Sequence, residues 1–289
     1  MTSAAEKASV LIKALPYLQR FRGKTFLIKM GGSAMDSPEL VREVMRDIIF
    51  LEVAGIRPVI VHGGGKAISA AMKESGLEAE FVGGLRITTP EAIKIVDATL
   101  HGKINQGLVE TINEFGGRAV SIHGTTVFSA KQLCGINDQG EPVDIGRVGQ
   151  VTHCRIDEVV EALASGFVPV ISPLGSHVDT GEIHNINADL AAAALACSLK
   201  PAKLVYLSDV PGLLRDPSDE GSLIESVTED EARGLMDDGT ISGGMIPKIT
   251  SALDALASGV EKVHFIDGRV PHTLLLEIFT KSGIGTELR

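Results

Sequence analysis

The 289-residue chain contains 44% hydrophobic and 22% charged residues, a balance that supports a large buried core and excludes wholesale disorder. Its formal net charge of −10 argues against broad nucleic-acid binding and against binding to a membrane surface. Three widely separated cysteines, and the lack of a signal-peptide pattern or a bilayer-spanning apolar run, predict a cytoplasmic protein with reduced thiols.

The N-terminal segment, residues 4–21, has apolar side chains at the spacing of a helix. We therefore predict a helix before the first strand, with a kink or break at Pro16. Two interpretations of this helix are open: it packs on its own domain, or it is an arm that docks on another subunit. The apolar residues concerned are Ala8, Leu11, Leu15, Leu18 and Phe21.

Two apolar runs, residues 25–30 and 58–61, each continue into consecutive glycines. The first run leads into Gly31 and Gly32, and the second leads into His62 and three glycines. Backbone N–H groups at the end of a buried strand, ahead of a helix, bind negative charge. The pattern therefore predicts one site that holds phosphate and carboxylate groups together.

A helix, a glycine and a short apolar strand recur in this order three times along the chain. The glycines are Gly55, Gly166 and Gly259, and each suits the left-handed C′ position that ends a helix. The strands after them are apolar nearly throughout, as are strands of a parallel sheet that is covered on both faces. This repetition predicts an α/β fold with a doubly wound, mainly parallel sheet.

Three segments between these units are predicted as β-hairpins or turn-rich loops. Residues 80–88 surround a Gly-Gly turn, residues 125–152 are rich in turns and lack helical period, and residues 177–184 form a further hairpin. Hairpins at the rim of a parallel sheet often serve as lids. Residues 172–176 are the nearest candidate for a boundary between two lobes.

Two lysines occupy positions that disfavour a positive charge. Lys29 lies inside the first apolar strand, where burial is costly without an anionic partner, unless the side chain reaches solvent from the strand end. Lys248 lies near the first turn of a predicted helix, where the helix dipole repels a cation. Both departures from local rules lie beside glycine pairs and indicate a functional site.

Polar residues at other element ends complete the candidate set. Arg86 follows the first hairpin turn and can bind a carboxylate through two parallel hydrogen bonds. Asn187 and Asp189 precede an alanine-rich helix, and helix capping alone explains both of them. Asn185 lies outside that helix and has no capping role.

The standard nucleotide-binding motifs are absent from the sequence. It contains neither a GxxxxGK[ST] loop nor a GxGxxG turn after a strand, and it has no Cys/His cluster at metal-ligand spacing. An apolar strand at residues 204–208 instead runs into an Asp-x-Pro-Gly turn that begins at Asp209. The end of such a strand is where an open α/β sheet offers a crevice for a ligand.

Taken together, these motifs resemble the amino-acid kinase family. They occur in the family's order over nearly the whole chain from Lys24, and the ordered set is far more specific than any single motif. The Gly-Leu-Arg and Asn-x-Asn-Ala-Asp elements are similar to those of members that act on N-acetyl-L-glutamate. The matching segments are Lys29-Met30-Gly31-Gly32, Val61-His62-Gly63-Gly64-Gly65, Gly84-Leu85-Arg86-Ile87-Thr88, Asn185-Ile186-Asn187-Ala188-Asp189, Leu207-Ser208-Asp209-Val210-Pro211-Gly212 and Gly243-Gly244-Met245-Ile246-Pro247-Lys248.

The resemblance implies an open αβα sandwich with a mainly parallel central sheet, rim β-hairpins and an N-terminal helix. Within one structural domain, it implies an oligomerisation helix in residues 1–22, a lobe for the amino-acid substrate in residues 23–175 and an ATP-binding lobe in residues 176–289. The implied reaction is ATP-dependent phosphorylation of the side-chain carboxylate of N-acetyl-L-glutamate, which gives an acyl phosphate in arginine biosynthesis.

The resemblance also implies roles for individual residues. Lys29 and Lys248 stabilise the transition state, and Asp189 orients them. Arg86 and Asn185 hold the α-carboxylate and acetamido ends of the substrate. The backbone donors are Gly31 and Gly32 towards the phosphoryl group, and Gly64 and Gly65 towards the substrate. Mg²⁺ enters with ATP and is held mainly by phosphates and water. The nucleotide is lined by Asp209, Val210, Pro211, Gly212, Leu213, Leu214, Thr240, Ile241 and Ser242.

Both ends of the chain are similar to the arginine-inhibited members of the family, which form hexamers as trimers of dimers. This likeness implies that the chain is a homo-oligomer and that L-arginine is an allosteric effector. The implied arginine contacts are Tyr17, His272, Glu277 and Gly283. Whether a PII-type regulator binds is not inferable from the sequence.

Three other functions remain open on the sequence alone. A sister kinase could act on another carboxylate or on carbamate; Arg86 and Asn185 favour an N-acyl amino acid, but pocket length cannot be read from sequence. An idle amino-acid sensor on the same fold is disfavoured because both Lys29 and Lys248 are present. The third alternative is a nucleotide-binding structural protein.

Overall fold

The computed structural model describes residues 4–35, 37–137, 139–280 and 283–289. The strands are β1 (Thr25–Met30), β2 (Arg57–His62), β3 (Phe81–Val82), β4 (Leu85–Arg86), β5 (Ala119–Ile122), β6 (Phe128–Ile136), β7 (Pro142–Cys154), β8 (Val168–Ile171), β9 (Leu174–His177), β10 (Ile183–Asn185), β11 (Lys203–Ser208), β12 (Ser226–Val227), β13 (Lys262–Asp267) and β14 (Thr286–Leu288).

The α-helices are α1 (Ala4–Phe21), α2 (Pro38–Val53), α3 (Gly65–Glu74), α4 (Ala92–Asp97), α5 (Gln106–Glu114), α6 (Gly124–Val127), α7 (Asp157–Ala164), α8 (Ala188–Leu199), α9 (Glu229–Asp237), α10 (Met245–Ala257) and α11 (Thr273–Phe279). A π-helical segment, Ala98–Asn105, joins α4 to α5. Short 3-10 helices occur at Gly32–Met35 and Glu220–Ser222.

Eight strands form one sheet in the order β12-β14-β13-β11-β1-β2-β8-β5. Neighbouring strands are parallel except for β13 and β14. Leu27 and Val61 face a core formed with α7, α8 and α10, whereas Phe26 and Ile28 face a second core formed with α2, α5 and α11. Helices therefore cover both faces, and the prediction of an αβα sandwich with a mainly parallel sheet is confirmed.

The three glycines between helix and strand have the backbone conformation that the sequence predicts. Gly55, Gly166 and Gly259 follow α2, α7 and α10, and their φ angles are +82°, +74° and +103°. This left-handed region is disfavoured for any residue with a Cβ atom. Each glycine thus ends its helix and turns the chain into β2, β8 or β13.

The predicted hairpins are present, but they are part of a larger structure. β3 pairs with β4, and β9 pairs with β10, both antiparallel. The segment of residues 125–152 contributes the long antiparallel pair of β6 and β7. Strands β6, β7, β9 and β10 close into a small barrel, because β6 also pairs with β9 and β7 with β10. The sequence analysis did not predict this barrel.

Helix α1 runs through Pro16 and does not break there. Its C-terminal part packs on the same chain: Tyr17 contacts Phe279 edge to face with ring centroids 6.3 Å apart, and Phe21 contacts Phe26 at 5.2 Å. Its middle part exposes a run of large apolar side chains. Those residues are Val10, Leu11 and Ile12, with exposed fractions of 64%, 67% and 68%.

The sheet is shared between the two halves of the chain. Strands β1, β2, β5 and β8 form one side of it, and β11 to β14 form the other. The lobe boundary placed between residues 175 and 176 falls inside β9, and the division into lobes stays a prediction. Across the described ranges, no helix is long and apolar enough to cross a membrane.

Candidate active site

The candidate site lies where the strand order of the sheet changes direction. β1 has β2 on one side and β11 on the other, and Lys29 is in register with Val61 and Tyr206 of those strands. The three strands run parallel to one another, so their carboxyl ends lie at the same edge of the sheet. A crevice at such a switch point is the usual ligand site of an open α/β sheet.

Lys29, Asp189 and Lys248 meet in this crevice from three different elements. Asp189 Oδ1 lies 2.7 Å from Lys29 Nζ, and Asp189 Oδ2 lies 3.9 Å from Lys248 Nζ. The side chains are largely buried, with exposed fractions of 9%, 18% and 22% for Lys29, Asp189 and Lys248. One carboxylate thus partners two ammonium groups, which leaves a net positive charge at the crevice. The anionic partner that the sequence analysis required for Lys29 is Asp189.

Asp189 is placed by the helix that follows it. Asn187 is the N-cap of α8, and its Oδ1 accepts hydrogen bonds from the N–H groups of Asp189 at 2.9 Å and Leu190 at 3.3 Å. The capping role predicted for Asn187 is therefore confirmed. The same cap also fixes the turn from which the Asp189 carboxylate reaches the two lysines.

The loops after β1 and β2 bring the backbone close to neighbouring side chains. The first glycine loop is Gly31 and Gly32, and the second is Gly63, Gly64 and Gly65. A Cβ atom on Gly31 would lie 2.1 Å from Lys29 Nζ, and one on Gly64 would lie 2.5 Å from the side chain of Ile104. Gly32 has a φ of +56°, in the left-handed region. The backbone at both strand ends therefore comes close to the lysine and to the crevice, as a loop that binds anions through its N–H groups must.

Arg86 is buried at the wall of the crevice, with an exposed fraction of 6%. Its Nη2 donates to the carbonyl oxygen of Gly65 and to Ser69 Oγ, both at 2.8 Å. Its guanidinium carbon lies 4.6 Å from the ring centroid of Phe81. Burial lowers the pKa of Arg86, but a guanidinium stays charged at any physiological pH. These contacts thus hold the side chain of Arg86 in place, with its positive charge in the wall of the crevice.

Asn185 is the last residue of β10 and lines the same crevice as the glycine loops. Its Nδ2 donates to Thr88 Oγ1 at 3.4 Å, and Thr88 in turn donates to the carbonyl oxygen of Arg86 at 3.0 Å. These contacts connect the two predicted substrate residues. Both residues line a cavity of about 220 Å³. The predicted site residues that line it are Lys29, Gly31, Gly32, Gly64, Gly65, Arg86, Asn185 and Asp189.

A second cavity, of about 250 Å³, contains most of the predicted nucleotide residues. Asp209 and Pro211 do not line it; a Cβ on Gly32 would lie 3.7 Å from the Asp209 carboxyl carbon, so Asp209 faces the first glycine loop. Thr286 fixes the wall, because its Oγ1 accepts from the Leu213 N–H at 2.8 Å. The predicted residues that do line this cavity are Val210, Gly212, Leu213, Leu214, Thr240, Ile241 and Ser242.

Three residues around this second cavity are not among the predicted nucleotide residues: Pro217, Met245 and Thr286. Pro217 and Met245 line it, and Thr286 holds its wall from β14. Thr286 lies more than seventy positions along the chain from the turn that it supports. No local pattern marks a residue whose role comes from a distant strand pairing.

A third cavity, of about 420 Å³, lies between α1, α11 and the ends of β11, β13 and β14. Tyr17, Glu277 and Gly283, three of the four predicted arginine contacts, line it. His272 does not. Its Nδ1 lies 2.7 Å from Asp47 Oδ1 and its Nε2 lies 3.3 Å from a Glu43 carboxylate oxygen, on the side facing α2.

Two buried residues that the sequence analysis missed also line the third cavity. The Lys203 ammonium donates to His264 Nε2 at 2.6 Å, and His264 Nδ1 donates to Glu277 Oε1 at 2.6 Å. Burial lowers the pKa of Lys203 to about 8. Burial also opposes ionisation of Glu277, but hydrogen bonds from His264 and two backbone N–H groups outweigh it and lower its pKa. The third cavity is thus lined by a fixed carboxylate that is connected to a lysine through His264.

The described residues contain no group of three or more His, Cys, Asp or Glu side chains that could hold a metal ion. The polar groups of the crevice include two ammonium groups, the Asp189 carboxylate, one guanidinium, the Asn185 amide and backbone N–H groups. Such a set suits anionic oxygens, and it suits Mg²⁺ only as an ion that phosphates and water carry in.

A model of the amino acid kinase family matches residues 24–267. The chain therefore belongs to the amino acid kinase family, and the crevice described above is the candidate site for its phosphoryl transfer. Among its relatives is a protein of Akkermansia muciniphila named acetylglutamate kinase. It is 60% identical over 288 residues, which are 100% of this chain and 97% of the relative.

Solved structures of a related enzyme match nearly the whole chain. N-acetylglutamate synthase from Neisseria gonorrhoeae, complexed with coenzyme A and N-acetyl-glutamate, has a TM-score of 0.84 and 26% identity over 97% of this chain. The same synthase complexed with coenzyme A and L-arginine has a TM-score of 0.80 and 25% identity over 97% of this chain. This chain spans 63% and 65% of the length of those two synthase chains.

Proposed function

We propose that the chain phosphorylates the side-chain carboxylate of N-acetyl-L-glutamate with ATP, giving N-acetyl-L-glutamyl 5-phosphate in arginine biosynthesis. The observation that carries this proposal is the geometry of Asp189, which partners both Lys29 and Lys248 at the edge of a cavity that also contains Arg86 and Asn185. The name of the Akkermansia muciniphila relative supports the same substrate.

The site supplies what this reaction needs. A carboxylate is ionised at neutral pH, so the nucleophile requires no general base. The obstacle is the repulsion between two anions and the charge that develops on the transferring phosphoryl group. Lys29 and Lys248 place positive charge on both sides of that group, while Asp189 fixes their positions. The carboxylate oxygen bonds to the terminal phosphorus as the bond to the departing ADP oxygen breaks.

The two cavities divide the substrates between them. Gly64, Gly65, Arg86 and Asn185 in the first cavity bind the α-carboxylate and the acetamido group of the acceptor. The apolar walls of the second cavity accept the nucleotide, and Gly31 and Gly32 lie on the phosphoryl side. Mg²⁺ neutralises phosphate charge when it is bound with ATP, and its ligands are mainly phosphates and water.

A panel of acceptors tests the substrate against the sister kinases. We expect ADP release with N-acetyl-L-glutamate to exceed by far the release with L-glutamate, N-acetyl-L-aspartate, N-acetyl-L-2-aminoadipate and carbamate, measured as kcat/KM in a coupled assay. A larger value for aminoadipate or carbamate would support a sister kinase. No ADP release with any acceptor, together with specific amino-acid binding, would support the sensor.

We further propose that L-arginine binds in the third cavity and inhibits the enzyme. The carboxylate of Glu277 is held in place to receive a guanidinium, and Tyr17 and Gly283 lie in the same wall. The synthase solved with L-arginine supports an effector of this kind on a related fold. His272 lies outside this cavity, so we retain Tyr17, Glu277 and Gly283 as arginine contacts and exclude His272 from the proposal.

The apolar run on α1 supports the proposal of a hexamer. Val10, Leu11 and Ile12 are more than 60% exposed and lie on the part of α1 beyond its contacts with Phe26 and Phe279. A second copy of the chain would cover this run. Helix α1 would then pack on its own chain through its C-terminal part and dock on another subunit through its middle part, so that both interpretations of the helix hold. Light scattering of the full chain should give six chains, and removal of residues 1–20 should give two. A full-length dimer would refute this arrangement.

A further inference from the structure

His62, the last residue of β2, has a fully buried side chain between the second glycine loop and the π-helical segment. Its Nδ1 lies 2.9 Å from the carbonyl oxygen of Gly63, and its Nε2 lies 3.2 Å from Nδ2 of Asn105. Asn105 is the last residue of the π-helical segment and is also fully buried. Neither side chain lines the candidate active-site cavity.

A backbone carbonyl fixes the direction of every hydrogen bond in this group. The Val170 carbonyl oxygen lies 2.9 Å from Asn105 Nδ2 and can only accept, so the amide nitrogen faces it. Asn105 Oδ1 accepts from the Ser121 hydroxyl at 2.6 Å. The second hydrogen on Asn105 Nδ2 points at His62 Nε2, which must therefore accept. The imidazole proton is left on Nδ1, where it is donated to the Gly63 carbonyl.

The surroundings also keep the imidazole neutral. Burial lowers the pKa of His62 to about 4, and the nearby ring of His101 acts in the same direction. A second proton would set an Nε2–H against the N–H of Asn105, with no acceptor between them. One tautomer of one charge state is thus fixed across the physiological pH range.

The peptide groups on both sides of Gly63 are held by these contacts. The Gly63 N–H donates to the Met30 carbonyl oxygen at 2.7 Å, so the second glycine loop is attached to the end of β1. The Gly63 carbonyl accepts from His62 Nδ1 on the other side. The carbonyl of Gly63 and the N–H of Gly64 belong to one planar peptide group, so fixing the first sets the direction of the second.

The π-helical segment shapes the next residue of the loop as well. A Cβ atom on Gly64 would lie 2.5 Å from Ile104 and 2.8 Å from Leu100, both in that segment. Gly64 and Gly65 open α3, where N–H groups have no acceptor within the helix, and both line the active-site cavity. The π-helical segment therefore constrains the second glycine loop in two ways: Ile104 and Leu100 lie against Gly64, and the Asn105 amide holds His62.

We propose that His62 is a positioning residue for phosphoryl transfer, and that Asn105 sets the tautomer that lets it act. His62 holds the Gly63 peptide so that the Gly64 and Gly65 N–H groups face the reacting carboxylate and phosphoryl oxygens. The inference rests on the proposed function for the identity of those oxygens. It also explains the irregular helix, since a π turn at a functional site re-aims side chains that a regular helix would direct elsewhere.

Two substitutions separate the two ring nitrogens. In His62→Asn the amide nitrogen replaces Nδ1 and keeps the bond to Gly63, whereas in His62→Gln the amide replaces Nε2 and loses that bond. Loss of a preorganised donor costs about a hundredfold in kcat. We expect a loss of that order in His62→Gln with little change in KM for ATP, and a kcat within about tenfold of wild type in His62→Asn. His153→Gln, at an exposed histidine of β7, is the matched control and should match wild type.

Melting temperatures and NMR make the result independent of folding defects. Similar melting temperatures for the two His62 variants would assign their difference in kcat to positioning. Equal kcat in both variants, or the reverse order, would refute the proposal. In the wild-type chain, ¹⁵N NMR of the imidazole should show His62 with a protonated Nδ1 and a bare Nε2 from pH 6 to 8.

The NMR experiment also separates this inference from the proposed function. An Nε2–H tautomer of His62 would overturn the inference even if the wild-type chain is an active kinase. A wild-type chain that phosphorylates no acceptor would overturn the proposed function, while the tautomer would still test whether His62 holds the glycine loop. In that case, an Nδ1–H tautomer would support the structural half of the inference, and the lack of phosphoryl transfer would refute its catalytic half.

Discussion

Asp189 Oδ1 lies 2.7 Å from Lys29 Nζ, although Lys29 is in the first strand and Asp189 opens a helix in the second half of the chain. The pair lies at the point where the strand order of the sheet reverses, with Lys248 on the far side of the same carboxylate at 3.9 Å. Through this shared carboxylate, two lysines whose positions disfavour a positive charge form one charged site. The first two predictions test this arrangement.

Replacement of Lys248 by alanine should lower kcat strongly and leave KM for N-acetyl-L-glutamate nearly unchanged. Lys248 is proposed to contact the transferring group and does not line the acceptor cavity, so its charge should act mainly in the transition state. The expected loss in kcat is about a hundredfold or more. Lys131→Ala, at an exposed lysine of β6, is the control. Steady-state kinetics that show most of kcat retained would rule out the proposed role of Lys248.

Replacement of Asn187 by alanine should cost about 1 kcal/mol of stability and lower kcat as well, because the lost cap also positions Asp189. Thr228→Ala removes the comparable cap of α9, where Thr228 and Glu231 form a capping box. That variant should lose about the same stability with kcat unchanged. Urea unfolding and kinetics on both variants decide the matter. Equal kcat in the two variants would mean that the Asn187 cap serves stability alone.

Replacement of Arg86 by lysine should raise KM for N-acetyl-L-glutamate about tenfold or more, with a smaller effect on kcat. A lysine has one ammonium group, which cannot keep the hydrogen bonds to Gly65 and Ser69 and also donate to a carboxylate as the several N–H groups of a guanidinium can. Arg57→Lys, at an exposed position at the start of β2, provides the control. An unchanged KM in Arg86→Lys would show that the α-carboxylate binds elsewhere.

Lys203 should make the stability of the wild type depend on pH. Its pKa of about 8 in the folded protein lies below its ordinary value of 10.5, so between these values the unfolded chain binds more protons. The contribution of Lys203 to the free energy of unfolding therefore rises with pH from about 8 to 10.5 and is lost as the pH falls back through 8. Thermal melts should show the wild type gaining on Lys203→Met from pH 7.5 to 10. A constant difference in melting temperature would contradict the assigned burial.

L-Arginine should inhibit the wild-type chain, and Glu277→Gln should require about tenfold more arginine for the same inhibition, because a charge-assisted hydrogen bond is lost. His272→Gln should remain sensitive to arginine, since His272 faces Asp47 and Glu43. We expect it to melt at a lower temperature, because burial has already raised the pKa of Asp47 to about 6 and His272 is its partner. Insensitivity in His272→Gln with Glu277→Gln unaffected would reverse the assignment.

Local patterns in the sequence predict the main elements well. Gly55, Gly166 and Gly259 end helices because only a left-handed residue can turn the chain there, and that requirement is visible in a short window. Lys29 and Lys248 are detectable for a similar reason, since each breaks a local rule. A local conflict of this kind singles out a site residue from the sequence alone.

Relationships between distant segments were harder to predict. The barrel of β6, β7, β9 and β10 depends on pairings between strands that each look like an ordinary hairpin. His264 and Lys203 appear as parts of apolar strands until β13 is placed beside β11. His272 lies in the C-terminal segment that resembles the arginine-inhibited members, yet its φ of +58° belongs to a turn that directs its ring towards α2.

The most direct test of the central claim is to trap the acyl phosphate. With ATP, Mg²⁺ and hydroxylamine, the wild-type chain should form the hydroxamate of N-acetyl-L-glutamate in amounts that equal the ADP released. Free L-glutamate should give far less, because it lacks the acetamido group that Asn185 is proposed to hold. Equal hydroxamate formation from the two acceptors would contradict the proposed substrate, and ADP release without hydroxamate would contradict phosphorylation of a carboxylate.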